Sequence, residues 1–305
     1  MSDEILCVGE ILWDALPDGL FLGGAPFNVA CHLRALGEEV AFVSRVGNDV
    51  LGDEALRRLR AYGLDTDLMQ VDESLPTGFV RVDLDSTGEP DYEIVEPAAW
   101  DAITISDALQ QRAEQAAALV FGSLAQRAGT SRQTIRVLCE ADVLRVFDIN
   151  LRPPYVDRKI VEYSLMSADV VKLNDHELQR LRSWFGLPSG AEAAMGELAT
   201  TFSCSAVCVT WGGEGARLWN DGQFWSHSGY SAEVEDTVGA GDAFLAALLS
   251  GLLNDLSGAT VLDRANQLGA YVASRSGALP SYQVDGPDEI GQSAHDAEIQ
   301  AEAEQ

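Results

Sequence analysis

Short apolar runs alternate along this chain with stretches of helical periodicity, and that alternation restricts the fold more than any other feature. The strand-like runs are residues 5–8, 40–46, 119–121, 145–149, 169–173 and 206–210. Helical patterns fall between and after them. One starts at Pro26, a favourable first-turn residue, and stops at Gly37; another covers 53–62 and stops at Gly63. Further helices are expected over 106–118, 131–140, 175–185, 241–253 and 262–274. Strands separated by helices pair in parallel, because a parallel neighbour needs a long crossover, and the helices then cover both sheet faces. The expectation is an α/β/α sandwich around a mostly parallel central sheet. One stretch breaks the rhythm: TGFVRVDLD alternates, a turn follows at Ser86-Thr87-Gly88, and DYEIV returns. That is a β-hairpin within residues 76–95, suited to a small accessory sheet.

The 305 residues suffice for one large α/β domain. Residues 1–284 are read as that domain. The segment 285–305 carries seven carboxylates and no Lys or Arg, and reads as an acidic, disordered tail. The formal charge is −28, with lysine only at 159 and 172. That balance argues against a nucleic-acid partner, since phosphate neutralisation needs clustered Lys and Arg. No run of eighteen apolar residues marks a membrane span, and MSDEILCVGE lacks the basic and long apolar regions of a secretory leader. A cytoplasmic location is therefore expected. The five cysteines are odd in number and lie mostly in apolar runs, as buried reduced thiols would.

So acidic a chain must create locally any positive potential that an anionic ligand needs. Asp236-Thr-Val-Gly-Ala-Gly-Asp242, leading straight into AFLAALLSGLL, offers a way. A Gly-Ala-Gly turn at a helix start leaves backbone N–H groups unpaired, lets a ligand approach closely, and places the positive end of the helix dipole there. Gly239, Ala240 and Gly241 would form an anion hole for a transferring phosphoryl group. Asp242 in the first turn has two readings: a carboxylate favoured at a helix N-terminus, or a general base taking a proton from an attacking hydroxyl. Two other nucleotide motifs fail. No Gly-Lys pair exists for a Walker loop, and Phe244 stands where a dinucleotide fingerprint needs its third glycine.

A second constellation is Gly23-Gly-Ala-Pro-Phe-Asn28, soon after Gly9-Glu-Ile-Leu-Trp-Asp14. Paired glycines before a helix let a ligand lie against backbone at Gly24. Asn28 offers a donor and an acceptor to hydroxyl groups, and Asp14 could accept two hydroxyls at once, as a polyol would require. The plainer reading is a turn followed by a cap.

Together, GGAPFNVACHLRALGEEVAFVSRVG and DTVGAGDAF resemble the two signature segments of the PfkB, ribokinase-like carbohydrate kinases. The resemblance extends over roughly residues 4–280 and implies a ribokinase-like α/β/α sandwich with a small β-sheet lid, drawn from about 12–22 and 76–100. It implies ATP and Mg²⁺ as co-substrate and cofactor, with Asp242 as catalytic base beside the 239–241 anion hole. By position, Asp14, Gly24 and Asn28 would hold sugar hydroxyls. Asn174 and Glu177 would organise magnesium through its waters, although Glu177 alone reads equally as a surface helix residue. Thr210, Gly212, Gly215 and Asn266 would line the nucleotide. Asp236 would hold K⁺, with Val238 where a threonine is common. Within the family, GEILWDALP, LGGAPFNVA, PTGFVRVDLD and EPAAWDAI look most like bacterial fructokinases. Arg81 would then be a substrate contact or an exposed strand residue. Trp13 and Trp100 would each be a face for a sugar ring, with a core role as the other reading of Trp100. Fructose is the expected acceptor, ahead of 2-keto-3-deoxygluconate, ribose, a nucleoside, or a non-catalytic sugar or nucleotide sensor. A homodimer through the lid is expected.

Overall fold

A computed structural model describes residues 3–16, 19–84, 90–284 and 290–292. The first third of the chain forms β1 (Ile5–Val8), β2 (Leu12–Leu16), β3 (Gly19–Gly23), α1 (Ala25–Ala35), β4 (Val40–Gly47), α2 (Val50–Ala61), β5 (Met69–Asp72), β6 (Gly78–Leu84) and β7 (Pro90–Ile94). Alternating units follow: α3 (Asp107–Gln115), β8 (Ala118–Gly122), α4 (Gly129–Leu138), β9 (Leu144–Asp148), α5 (Arg158–Ser167), β10 (Val170–Asn174), α6 (Asp175–Phe185), α7 (Ala191–Phe202) and β11 (Ala206–Thr210). The last are β12 (Ala216–Asn220), β13 (Gln223–His227), α8 (Ala240–Leu253), α9 (Gly258–Ala273), β14 (Tyr282–Val284) and β15 (Ile290–Gln292).

Nine strands make the main sheet, in the order β13-β12-β11-β10-β9-β8-β1-β4-β5. The seven from β11 to β5 are parallel, and β12 and β13 turn antiparallel at one edge. Side chains alternate across it as strand geometry demands. Ile5 and Cys7 enter one core with α1, α2, α8 and α9, whereas Leu6 and Val8 enter another with α3 to α7. Those are the three layers of an α/β/α sandwich. Helix α8 is buried from Ala243 to Leu249 because its sequence is apolar on every side, and it sits between α1 and α9. A second, four-stranded sheet has the order β3-β2-β6-β7.

The antiparallel edge β12–β13 is not among the strands expected from periodicity. Its turn residues Asp221 and Gly222 both have positive φ, 46° and 80°, the geometry of a two-residue hairpin loop. Helices α5 and α7 and strand β5 were likewise unanticipated. Within the segment read as a disordered acidic tail, Ile290–Gln292 is instead a strand paired antiparallel with Tyr282–Val284. That pairing is made by backbone groups, to which acidic composition is blind. The rest of 285–305, and the turn read at 86–88, lie outside the described residues. All five cysteines are buried and unpaired. Among the described residues no helix is long and apolar enough to cross a membrane.

Candidate active site

The carboxyl ends of β1, β9, β10 and β11 open on one side of the main sheet, where ligands of parallel α/β folds bind. A cavity of about 870 Å³ lies there, roofed by one face of the small sheet. Register determines which residues form that roof. Asp14 of β2 pairs with Val80 of β6, which pairs with Ile94 of β7, so the three lie in one row across the sheet, and all three line the cavity. Their sequence neighbours point the other way. Trp13 is buried on the far face, its Nε1 donating to the Leu51 carbonyl at 3.0 Å with Arg58 over its ring. Arg81 is exposed on that far face and pairs with Glu93 at 3.1 Å. Neither reaches the cavity. Trp100 does not reach it either: it is wholly buried, with the Arg127 guanidinium 4.0 Å from its ring centroid and Gly78 packed on its indole edge. A side chain has no room at Gly78, which is what lets the small sheet settle on Trp100.

The floor is built around the start of α8. Gly239, at the N-cap, has φ 77°, and a Cβ there would lie 2.6 Å from Ala278, so only glycine fits. The Ala240 N–H turns back to the Thr237 carbonyl at 3.3 Å and the Asp242 N–H to the Gly239 carbonyl at 3.0 Å. Among the hydrogen bonds of the described residues none takes the Gly241 N–H, and Gly241 lines the cavity. The Gly239 N–H has no such bond either and Gly239 lines the cavity too, so the amides this turn leaves open to an anion are those of Gly239 and Gly241, with the dipole of a fourteen-residue helix behind them.

Asp242 lines the same cavity and accepts a hydrogen bond on Oδ2 from Asn28 Nδ2 at 2.8 Å. Asn28 is buried on α1, and its Oδ1 has no partner among the described residues. One end of the amide thus fixes the Asp242 carboxylate, and the other remains a free acceptor. Burial pushes the Asp242 carboxyl up to about 6; Asp148 adds to the rise, while Lys172, the Asn28 hydrogen bond and Arg152 oppose it. Asp14 is pushed up to about 6 by burial, with Arg152 opposing.

Lys172 is a cavity-lining residue that sequence reasoning missed. It stands opposite Asp148 in the register of β10 and β9, and its Nζ lies 3.2 Å from both Asp148 oxygens. Burial alone would favour loss of its proton, but Asp148, Asp242 and Glu177 outweigh that and raise its pKa above the ordinary lysine value. A Cβ on Gly241 would sit 3.2 Å from Nζ, so a fixed ammonium stands beside this glycine. The chain therefore adds one buried cation where its overall charge gave no hint of one.

Of the remaining expected residues, Gly24, Asn174, Thr210, Gly212 and Asn266 line the cavity. Gly24 is packed against the Glu10 carbonyl, which a Cβ would overlap. Asn266 donates within α9 to the Leu262 carbonyl at 2.7 Å. Gly215 instead serves the fold: with φ 87°, it packs against the 227–229 backbone where no side chain fits. Glu177 is buried behind Asn174 as the third residue of a capping box, its oxygens taking the Asn174 and Leu151 amides at 2.8 and 2.7 Å. Asp236 accepts from the Val238 and Gly277 amides at 3.0 and 3.2 Å, tying the loop before α8 to the chain after α9. Glu10, Asn150 and Arg152 also line the cavity.

Residues 19–284 match the family model described as pfkB family carbohydrate kinase. A fructokinase of Klebsiella pneumoniae is 33% identical over 268 residues, covering 83% of this chain and 85% of that protein. A sugar kinase of Pyrococcus horikoshii, solved in complex with ATP, superposes with a TM-score of 0.76 at 29% identity over 90% of this chain and 94% of its own. A fructokinase of Vibrio cholerae, solved with fructose, ADP and calcium, gives a TM-score of 0.75 at 25% identity over 91% and 94%. An α/β/α sandwich with a small second sheet, a carboxylate oriented beside a helix-start amide, and a family match over most of the length agree: this chain belongs to the pfkB family of carbohydrate kinases.

Proposed function

We propose that this sugar kinase transfers the γ-phosphoryl group of ATP to a hydroxyl of fructose in the cytoplasm. The observation that carries the reading is Asp242, oriented by Asn28 and held within the same helical turn as the Gly241 amide. A carboxylate beside a phosphate-binding amide is repelled by the phosphate, so its position makes sense for taking a proton from the attacking hydroxyl. Asn28 Oδ1 and Asp14 are acceptors suited to the other hydroxyls of a ketohexose. The Gly241 amide, the α8 dipole and Lys172 stabilise charge that grows on the phosphoryl oxygens. Closure of the small sheet over the sugar would exclude water, since Leu12, Val80 and Ile94 present apolar surface to the cavity. Thr210, Gly212, Gly213 and Asn266 line the part of the cavity that this reading gives to the nucleotide.

Among the described residues no group of three or more His, Cys, Asp or Glu is arranged to grip a metal. Asn174, on the cavity wall, would organise magnesium carried by the nucleotide phosphates through its retained waters, with Glu177 acting from behind by holding the Asn174 and Leu151 amides, and the ion would neutralise phosphate charge there. Asp236 keeps a lone pair on each oxygen beyond its amide bonds, room enough for K⁺. Strand β3, at the edge of the small sheet, exposes Leu20 and Phe21 on its two faces, and that edge is where a second copy would pair.

Activity should follow the ionisation of Asp242. A base works only when unprotonated, so kcat/KM is expected to fall below pH about 6, the value to which burial lifts this group. Asp14 titrates in the same range, which steepens the acid limb. A pH–rate profile flat from pH 5 to 8 would remove Asp242 as the base. The substrate itself is tested by ADP release with Mg²⁺ across fructose, glucose, ribose, ketodeoxygluconate, adenosine and fructose 6-phosphate, with and without K⁺. Turnover on fructose above the others supports the reading, and preference for another acceptor overturns it.

A further inference from the structure

Glu10 follows β1 at the edge of the acceptor side of the cavity and has no part in the reaction described above. The residue is only 3% exposed, it lines the cavity, and its Oε2 has no hydrogen-bond partner among the described residues. A buried carboxylate oxygen without a partner is costly, and a bound donor that reaches it offsets that cost. Burial pushes this carboxyl up to about 7, with Asp242 adding to the rise and Arg152 and the amides of Glu10 and Ala25 opposing it. The Glu10 carbonyl lies against Gly24, so the residue is rooted in the same glycine turn that leads to Asn28.

Resting on the sugar-kinase reading, we infer that Glu10 is a substrate-binding and specificity-determining residue: its Oε2 accepts a hydrogen bond from an acceptor hydroxyl. Together with Asp14 it makes this end of the cavity select an uncharged polyol over an acceptor bearing a carboxylate or phosphate. The balance of charge supports the second half. Glu10, Asp14 and Asp242 all line the cavity. Of the cations that line it, Lys172 is engaged with Asp148, which leaves Arg152 facing three acids. An anionic group arriving there meets more repulsion than attraction, whereas hydroxyl donors satisfy each acid in turn.

The test is a functional-group cycle with purified wild type and Glu10→Gln, using fructose, its monodeoxy analogues and ketodeoxygluconate. Glu10→Gln is expected to lower kcat/KM for fructose by about 10- to 100-fold, the range for losing a hydrogen bond to a charged group, mostly through the sugar KM. The KM for ATP should stay within about twofold, which a general loss of fold would not allow. For one deoxy analogue, the variant should lose no more than about twofold relative to wild type, because the hydroxyl that Glu10 holds is already gone. Removing the charge should also raise the ketodeoxygluconate-to-fructose ratio of kcat/KM by about tenfold or more. Equal losses on every analogue with an unchanged ratio would overturn the role of Glu10 while leaving the kinase reading intact. Wild type that prefers ketodeoxygluconate to fructose would overturn the selection for neutral acceptors. Wild type that phosphorylates no neutral sugar would overturn the underlying reading as well. Thermal melts of both proteins, and the wild-type preference measured alone, keep the proposal exposed should the variant fold poorly.

Discussion

Asp242→Asn is expected to cut kcat by about 10²- to 10⁴-fold, the range that general-base catalysis supplies, while leaving the fold and nucleotide binding intact. The substitution is nearly isosteric, and an Asn oxygen can still accept the Asn28 Nδ2 hydrogen that Asp242 accepts now. What disappears is the capacity to take a proton. A second, opposite effect should accompany the loss. The folded carboxyl titrates at about 6, above its ordinary 3.8. A raised acid of this kind contributes stability that is full below pH about 4 and is lost as pH rises through about 6. At pH 8 the ionised group is therefore a cost to the fold, and the neutral amide removes it. The variant should melt a degree or more above wild type at pH 8, about what 1 kcal/mol or less yields in a chain this long, and lose that advantage at pH 4. Dead at the active site yet more stable is the signature of a functional carboxylate, and a variant both active and unchanged in stability would contradict it.

Lys172→Met is the second large effect. Removing one partner of a buried ion pair destabilises by about 3–5 kcal/mol, because the other charge stays behind without a counter-ion. Here Asp148 is stranded, and Asp242 and Glu177 also lose the ammonium that favours their ionised forms. The acid limb of the pH–rate profile should move to higher pH, and kcat should fall by about 10- to 100-fold as the charge beside Gly241 is lost. A merely structural lysine makes a different forecast. The double variant Lys172→Met with Asp148→Asn, which removes both charges, should then regain stability and turnover together. The electrostatic role requires that it regain stability alone. Melting temperature and kcat of the three proteins decide between them.

Much of this arrangement was legible in the chain itself, for identifiable reasons. The strand–helix alternation placed β1, β4, β8, β9, β10 and β11 near their observed positions because buried parallel strands are continuous apolar runs. The motifs ending at Asn28 and Asp242 stood out because glycines there meet a backbone demand, seen in the positive φ of Gly24 and Gly239. Lys172 was hidden because its role depends on the register between two strands whose facing residues are 24 positions apart. Trp13 as a sugar face, and Arg81 in its reading as a substrate contact, were misplaced by parity: alternation tells which residues share a face, but only the pairing of Asp14 with Val80 tells which face meets the cavity. Trp100 became core because Arg127, paired with Asp101 at 2.8 Å, closes over it, and no spacing announces that contact. The Asp221-Gly222 turn was the one missed element with a local signal, since Asp-Gly between apolar runs marks a hairpin. Glu10 sits in plain view within GEILWD, yet only burial reveals that its Oε2 lacks a partner among the described residues.

The central claim is phosphoryl transfer from ATP to a sugar hydroxyl, with Asp242 taking the proton. Phosphorus NMR of the purified protein with ATP, Mg²⁺ and fructose tests it most directly, because it separates transfer from hydrolysis. A new phosphomonoester resonance growing in step with ADP, and absent with Asp242→Asn, is the result this account requires. Inorganic phosphate as the sole new resonance, or a phosphomonoester formed equally fast by the variant, would contradict it.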